Sequence, residues 1–123
     1  MLEYKNGAFM DFIIRQFKSN DKDEIISMMK VFYSSDVVQT NGSQKIFEKD
    51  FDICISDNQV LTGFVFERDN EVLGYSMIAI SFSTEYGKQC VWLEDLYVKP
   101  QYRGIGIIPK FIKFVEKILK TQY

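Results

Sequence analysis

Residues 91–119 constrain the fold of this 123-residue chain more than any other segment. They read as an apolar strand, a short turn with two glycines, Gly104 and Gly106, and an amphipathic helix. A helix that begins directly after a glycine turn leaves backbone N–H groups without partners, and such groups bind anions, above all a pyrophosphate. The strand also carries two adjacent carboxylates, Glu94 and Asp95. A phosphate-bearing cofactor beside an acidic group is typical of a group-transfer site.

The chain contains no histidine, and its two cysteines, Cys54 and Cys90, are far apart in the sequence. A zinc site or a histidine relay is therefore not expected, and no metal is assigned. Unpaired thiols predict a reduced, cytoplasmic protein. No apolar run is long enough to span a bilayer, so no membrane association is expected.

The net charge of −2 is spread unevenly along the chain. Residues 1–98 carry 9 Lys or Arg against 16 Asp or Glu, whereas residues 99–123 carry 6 against 1. This asymmetry suits an anionic cofactor at one end and a cationic substrate at the other, although lysines on a solvated helix face would produce it too. A nucleic-acid-binding protein would be more basic overall, so that class is set aside.

Two short segments carry a family resemblance: residues 93–98 read Leu-Glu-Asp-Leu-Tyr-Val, and residues 103–108 read Arg-Gly-Ile-Gly-Ile-Ile. They resemble the cofactor-binding core of the Gcn5-related N-acetyltransferase (GNAT) family, with the signature Arg/Gln-x-x-Gly-x-Gly/Ala, and in particular its diamine and thialysine acetyltransferase branch. Arg103 and Gly106 match the signature, whereas Ile108 replaces its last small residue. The resemblance implies an α+β, GNAT-type (acyl-CoA N-acyltransferase) fold, a mixed, mostly antiparallel sheet flanked by helices, and acetyl-CoA as the acetyl donor.

Acetyl transfer needs a base, because an alkyl ammonium has a pKa of about 10.4 and must first lose its proton. Glu94 is the first candidate for this catalytic role, since in a regular strand it shares a face with Leu96 and Val98, and Asp95 points the other way. In the family this strand carries a bulge, which would exchange the two faces, so Asp95 remains the alternative. The alternative to a catalytic role is that the two acids are a solvated pair at a strand end.

The resemblance also assigns cofactor contacts. The pantetheine arm of the coenzyme is expected to pair with the backbone of Leu96, Tyr97 and Val98, where an N–H would polarise the acetyl carbonyl. The pyrophosphate is expected on backbone donors of the loop, namely Arg103, Gly104, Ile105, Gly106, Ile107 and Ile108. The side chain of Ile108 is expected to crowd the phosphates, and Pro109, at the first helical position, has no N–H to donate.

Hydrophobic periodicity predicts the order strand, two helices, three antiparallel strands and a helix. The strands are expected over residues 12–17, 61–67, 72–81 and 90–98. Ser19, Asn20 and Asp21 offer caps for the first helix, and a polar break over residues 34–43 separates it from the second.

Length and family together predict one domain, residues 1–123, which is a C-terminally truncated GNAT-type domain. Residues 1–9 would be a flexible extension if translation starts at Met10. The family normally continues with further strands, which supply the tyrosine that protonates the leaving thiolate; Tyr97, Tyr102 and Tyr123 are conceivable replacements. Without those strands, residues 90–98 form an exposed edge, which a homodimer is expected to cover.

Two functions follow from these observations. The first is an N-acetyltransferase that acetylates a primary amine of a small cationic substrate, such as a polyamine or an amino-acid amine. The second is a catalytically impaired relative that binds acyl-CoA, or a partner protein through the exposed strand edge. A nucleotide-binding module is disfavoured, because a P-loop lysine followed by Ser or Thr is absent. Coenzyme binding without turnover would favour the second function.

Overall fold

The computed structural model describes residues 11–34 and 43–122. In chain order the elements are β1 (Ile13–Gln16), α1 (Lys22–Tyr33), α2 (Gln44–Ile55), β2 (Leu61–Arg68), β3 (Glu71–Ser83), β4 (Lys88–Val98) and α3 (Ile107–Gln122), with 3-10 helices at Ser19–Asp21 and Pro100–Tyr102. The predicted order of elements is confirmed, and the strand bounds shift by one or two residues. The predictions for residues 1–9, Met10 and Tyr123 lie outside the described residues.

The four strands form one sheet in the order β1-β2-β3-β4, and all three pairings are antiparallel. The predicted hairpin between β2 and β3 turns through Asp69 and Asn70, whose φ angles of 51° and 64° suit a two-residue turn. In the described part of the chain, β4 has a partner strand on one side only. The α+β class is therefore confirmed, and the strand that carries the two carboxylates lies at the sheet edge.

Helices cover both faces of this sheet. On one face α1 and α2 pack on a cluster that includes Tyr75 and Tyr97. On the other face the α3 residue Phe111 packs edge-on against Phe64 and Phe66. Because successive strand residues alternate between the two faces, the end of β4 is anchored in both clusters. The strand end that precedes the glycine loop is thus fixed from both sides.

Arg15 connects β1 to the start of α1. Its Nη1 and Nη2 donate to the two carboxylate oxygens of Asp21 at 2.8 and 3.0 Å, and its Nε and Nη2 donate to Glu67 at 3.3 and 3.0 Å. Asp21 also accepts from the backbone N–H of Lys18 at 2.7 Å. Burial acts to raise the pKa of Asp21, but these hydrogen bonds hold it below its usual value. Of the three predicted cap residues, Asp21 occupies the N-cap position of α1, but its side chain makes no cap hydrogen bond to that helix.

Candidate functional site

A β-bulge interrupts β4 where the two adjacent carboxylates lie, as the resemblance implied. Asp95 pairs with Met77 and Leu93 pairs with Ile78, which leaves Glu94 without a partner residue on β3. The assumption of a regular strand, on which the expected face of Glu94 rested, was therefore wrong. Glu94 is exposed to solvent.

The charge of Glu94 acts on groups of the face that α1 and α2 cover. It contributes to raising the pKa of Tyr33, of Asp50 and of Asp95. Glu94 is thus the exposed member of an acidic group formed with Asp50 and Asp95. This group lies beside the bulge.

Asp95, by contrast, is buried, with 1% of its surface exposed. One carboxylate oxygen accepts from the Tyr33 hydroxyl and the other from the Tyr75 hydroxyl, both at 2.7 Å. Its carbonyl accepts from the Ser76 hydroxyl, also at 2.7 Å. Burial raises the pKa of Asp95, while the two tyrosine hydrogen bonds act to lower it. Asp95 therefore ties α1 and β3 to the bulge, and both of its oxygens are already engaged.

Two helix α2 side chains complete the surroundings of the bulge. Partial burial and the charge of Asp95 raise the pKa of Asp50. Burial, Asp50 and Asp95 raise the pKa of Cys54 to about 12, so its thiol stays protonated at neutral pH. A protonated thiol is a poor nucleophile. Among the described residues no cluster of His, Cys, Asp or Glu is arranged to hold a metal ion.

The glycine loop after β4 has the backbone geometry of an anion cradle. Gly104 and Gly106 have φ angles of 79° and 96°, a region that favours glycine. Within the described residues, the backbone N–H groups of residues 104–108 donate no hydrogen bond. Arg103 differs, because its N–H donates to the carbonyl of Pro100 at 3.3 Å. Among the described residues, the N–H groups of residues 104–108 are therefore available to a ligand and that of Arg103 is engaged, and their role as pyrophosphate donors stays a prediction.

The start of α3 also differs from the prediction. The helix begins at Ile107, so Pro109 is its third residue rather than its first. The N–H groups of the first helical turn have no intrahelical acceptor in any case, so proline costs no helical hydrogen bond at this position. The first complete bond runs from the Lys110 N–H to the Gly106 carbonyl at 3.3 Å.

Two adjoining cavities connect this loop with the end of β4. The first, about 340 Å³, is lined by residues of the loop and the start of α3, together with Val98. The second, about 310 Å³, lies between α1 and β4 and is lined by Val31, Phe32, Leu96 and Tyr97. Val98, Arg103 and Ile108 line both cavities. We call the two cavities together the β4–α3 groove.

The groove collects nearly all of the predicted cofactor residues. The exception is Ile105, whose side chain packs into the core cluster beneath α3. The Arg103 side chain has a local structural role: its Nε donates to the Val98 carbonyl at 2.8 Å, and its guanidinium lies 5.5 Å from the centre of the Tyr97 ring. Of the tyrosines named as replacement acids, Tyr102 donates its hydroxyl to Glu71.

Sequence reasoning did not find Tyr33 and Tyr75, which hold Asp95 in place. Both looked like ordinary aromatic residues of a helix and a strand. The hydrogen bonds from Tyr33 and Tyr75 to Asp95 span 62 and 20 positions along the chain, so no local pattern could reveal them. The available signal was the position of Asp95 on an apolar strand. A carboxylate that such a strand buries needs hydrogen-bond donors from elsewhere in the chain.

Comparisons with known proteins agree with this geometry. The family model for the acetyltransferase (GNAT) family matches residues 23–122. The chain belongs to the GNAT family. No helix within residues 11–34 and 43–122 of this GNAT protein is long and apolar enough to cross a membrane.

Two curated relatives are thialysine N-epsilon-acetyltransferases from Bos taurus and Mus musculus. Each is 49% identical to this chain over 47 residues. The matched part covers 38% of this chain and 27% of each relative's length. This similarity supports the predicted thialysine branch over that shared segment.

Solved structures share the fold at low sequence identity. A possible acetyltransferase from Clostridium difficile 630 superposes with a TM-score of 0.74 at 17% identity, over 89% of this chain and 72% of that chain. A structure described as a predicted acetyltransferase with acetyl-CoA, from Clostridium acetobutylicum, superposes with a TM-score of 0.70 at 19% identity, over 88% of this chain and 73% of that chain. These likenesses confirm the GNAT-type fold.

The side chain of Ile108 lies where the two cavities meet and is 42% exposed. Shortening it therefore tests the prediction that this side chain crowds the phosphates of the cofactor. Helical side chains lean toward the helix N-terminus, which brings Ile108 over the loop. We expect Ile108→Ala to lower the Kd for acetyl-CoA about tenfold, measured by isothermal titration calorimetry. Ile112→Ala is the matched control, since Ile112 is 38% exposed and lines neither cavity. Equal affinities for Ile108→Ala and the wild type would contradict crowding.

Proposed function

We propose that this protein is an acetyl-CoA-dependent N-acetyltransferase that acetylates a primary amine of a small cationic substrate. One observation carries the proposal: within the residues that the structure describes, the β4–α3 groove joins a strand edge without a partner strand to a loop whose N–H groups donate no hydrogen bond, with an exposed carboxylate at the nearby bulge. These are the parts that binding a pyrophosphate-linked thioester and deprotonating an amine require. We place the activity in the cytoplasm, in keeping with the two unpaired thiols.

The donor would bind along the groove. Backbone N–H groups of residues 104–108 and the start of α3 would hold the pyrophosphate, each charge-assisted bond contributing about 1.5–3 kcal/mol. The outer backbone edge of Leu96, Tyr97 and Val98 would pair with the amide groups of the pantetheine arm. An N–H of this edge would polarise the acetyl carbonyl as the amine attacks.

Glu94 is the proposed base. Removing a proton from an alkyl ammonium at pH 7 costs roughly 4–5 kcal/mol, and a carboxylate at the bulge can take it directly or through a water. Glu94 is exposed and makes no side-chain hydrogen bond to any described residue, so its oxygens can reach a bound amine. Asp95 is a positioning residue in this proposal, because both of its oxygens are held by tyrosines.

The acidic group at the bulge supports a cationic substrate. Asp50, Glu94 and Asp95 create a negative potential that would attract an ammonium group to the base. The similar relatives are named for acetylating thialysine at its ε-nitrogen. Thialysine, lysine and polyamines are therefore the first acceptors to test. We propose no nucleic-acid or membrane partner.

The test begins with titration of acetyl-CoA into the purified chain, followed by a thiol-release assay with the amine panel. Micromolar binding together with amine-dependent thiol release would support the proposed enzyme. Binding without turnover of any amine would instead favour a catalytically impaired, acyl-CoA-binding relative. Absence of binding at millimolar acetyl-CoA would overturn both functions, and a role in protein interaction would then lead.

A further inference from the structure

The second cavity of the β4–α3 groove has two walls that come from different parts of the chain. Residues 31–32 of α1 form one wall, and residues 96–98 of β4 form the other. The next residue of α1 is Tyr33, and the residue that precedes this part of β4 is Asp95. The Tyr33 hydroxyl donates to a carboxylate oxygen of Asp95 at 2.7 Å. This hydrogen bond therefore connects the two walls directly beside the cavity.

The burial of α1 decreases toward its last turn. The buried residues of this helix all lie before position 30, and residues 30–33 are exposed or half-buried. The Tyr33 ring packs on Phe32 of the same helix and on Phe47 of α2, with ring centres 5.1 and 5.3 Å apart. Neither of these ring contacts reaches β4, whereas the hydrogen bond to Asp95 does. The bond therefore acts on the part of α1 that apolar burial holds least.

Asp95, by contrast, is fixed on the sheet without the help of Tyr33. Its other carboxylate oxygen accepts from the Tyr75 hydroxyl and its carbonyl accepts from the Ser76 hydroxyl, both at 2.7 Å. Both donors belong to β3, where Met77 is the partner residue of Asp95 in the strand pairing. Asp95 is thus a fixed point on the sheet, and Tyr33 connects the end of α1 to it.

We propose that the Tyr33–Asp95 hydrogen bond sets the width of the groove between α1 and β4, and that Tyr33 is a positioning residue for the pantetheine arm of the donor. This inference rests on the proposed binding of acetyl-CoA along the groove. The arm would lie between the two walls and contact both of them. A gap of about 0.5–1 Å on one side forfeits a quarter to a half of the dispersion energy of each such contact. A small movement of α1 away from β4 would therefore weaken binding of the arm.

Only one part of the donor should depend on this hydrogen bond. The pyrophosphate would bind the loop at residues 104–108, which borders the first cavity, and neither wall of the second cavity contributes to that loop. Loss of the hydrogen bond should therefore weaken contacts to the pantetheine arm and spare contacts to the adenosine diphosphate part. A general loss of stability would weaken binding of both parts, so the two roles can be distinguished.

Two phenylalanine variants test the positioning role by isothermal titration calorimetry. Tyr33→Phe removes the hydrogen bond and keeps the ring that packs on α2. It is expected to raise the Kd for acetyl-CoA about five- to tenfold. The Kd for 3′-phosphoadenosine 5′-diphosphate, which lacks the pantetheine arm, should stay within about twofold of the wild type.

Tyr75→Phe is the matched control, because it removes the other tyrosine hydroxyl from Asp95 without releasing α1. Both Kd values of this variant should stay within about twofold of the wild type. An unchanged Kd for acetyl-CoA in Tyr33→Phe would overturn the proposal. Equal weakening of both ligands in Tyr33→Phe, or equal weakening of acetyl-CoA in the two variants, would overturn it as well.

Hydrogen exchange without any ligand tests the hydrogen bond itself. Backbone amides of a helix exchange when their turn opens, so the amides of residues 30–33 report how firmly the end of α1 is held. Tyr33→Phe should raise their exchange rate about tenfold, and Tyr75→Phe should change it less than about threefold. Equal rates in Tyr33→Phe and the wild type would overturn the proposal. A wild type that binds no acetyl-CoA would overturn the proposed function, and the exchange rates would then decide by themselves whether Tyr33 holds α1 against β4.

Discussion

Glu94→Gln is expected to lower kcat for amine acetylation about 10²–10⁴-fold, which is the contribution typical of a general base. The Kd for acetyl-CoA should stay within about twofold of the wild type, since the variant removes an interaction made only as the amine is deprotonated. Glutamine keeps the size of the side chain and cannot take a proton. Titration calorimetry and steady-state kinetics on the same preparations measure both quantities.

The pH dependence sharpens this prediction. As the pH rises toward the amine pKa of about 10.4, a growing fraction of the substrate is already deprotonated. The deficit of Glu94→Gln should therefore shrink as the pH rises. A defect in binding or folding would not follow the ionisation of the substrate.

Two controls separate Glu94 from its acidic neighbours. Glu85→Gln removes an exposed carboxylate in the turn of the β3–β4 hairpin and should leave kcat unchanged. Asp95→Asn keeps the shape of the positioning residue and can still accept a tyrosine hydrogen bond, so it should lower kcat less than Glu94→Gln does. A folded Asp95→Asn protein without activity, alongside an active Glu94→Gln protein, would assign the base to Asp95 instead.

The sequence predicted those parts of the fold that rest on local patterns. The apolar stripe of α3 and the polar turn at Asp69 and Asn70 are spaced within a few residues, so periodicity and turn chemistry located them. The two loop glycines likewise indicated a special backbone conformation, because only glycine adopts positive φ angles without a steric cost. The cavities that they line were implied by the family resemblance.

The parts that the sequence could not supply depend on contacts across the chain. The strand pattern alone gave no sign of the bulge at Glu94, which follows from the pairing of β4 with β3. In the sequence Asp95 and Glu94 are equivalent acids. In the structure Asp95 alone accepts hydrogen bonds from the tyrosines of α1 and β3. Asp21 looked like a helix cap because aspartate near a helix start usually is one. In the structure Asp21 accepts hydrogen bonds from Arg15, which also donates to Glu67, 52 positions away from Arg15.

Arg15→Met is expected to lower the free energy of unfolding by about 3–5 kcal/mol at pH 7, because it leaves a buried carboxylate without its partner. The Asp21 side chain is 8% exposed, and Arg15 donates to both of its oxygens. Methionine preserves the apolar stem of arginine and removes the donors. The variant should also disturb the candidate site, because Asp21 immediately precedes α1, and α1 carries Tyr33, which donates to Asp95.

The sign of the pH effect distinguishes this mechanism from a packing defect. Hydrogen bonds from Arg15 hold the pKa of Glu67 below its usual value, and together with the Lys18 N–H they do the same for Asp21 against the opposing effect of burial. Their stabilisation is therefore complete above the usual carboxyl pKa of about 4 and is lost as the pH falls through the lowered values. Urea unfolding of Arg15→Met and the wild type should converge as the pH is lowered through this window.

An exposed ion pair provides the control for Arg15→Met. Lys22 donates to Asp52 at 2.9 Å, with side chains 36% and 57% exposed, and Lys22→Met should leave the free energy of unfolding close to that of the wild type. Both variants remove one positive charge from an ion pair, but the Arg15–Asp21 pair is mostly buried and the Lys22–Asp52 pair is more exposed. Equal losses of stability would show that burial of Asp21 adds nothing, and the anchoring of α1 would then rest on its apolar face against the sheet.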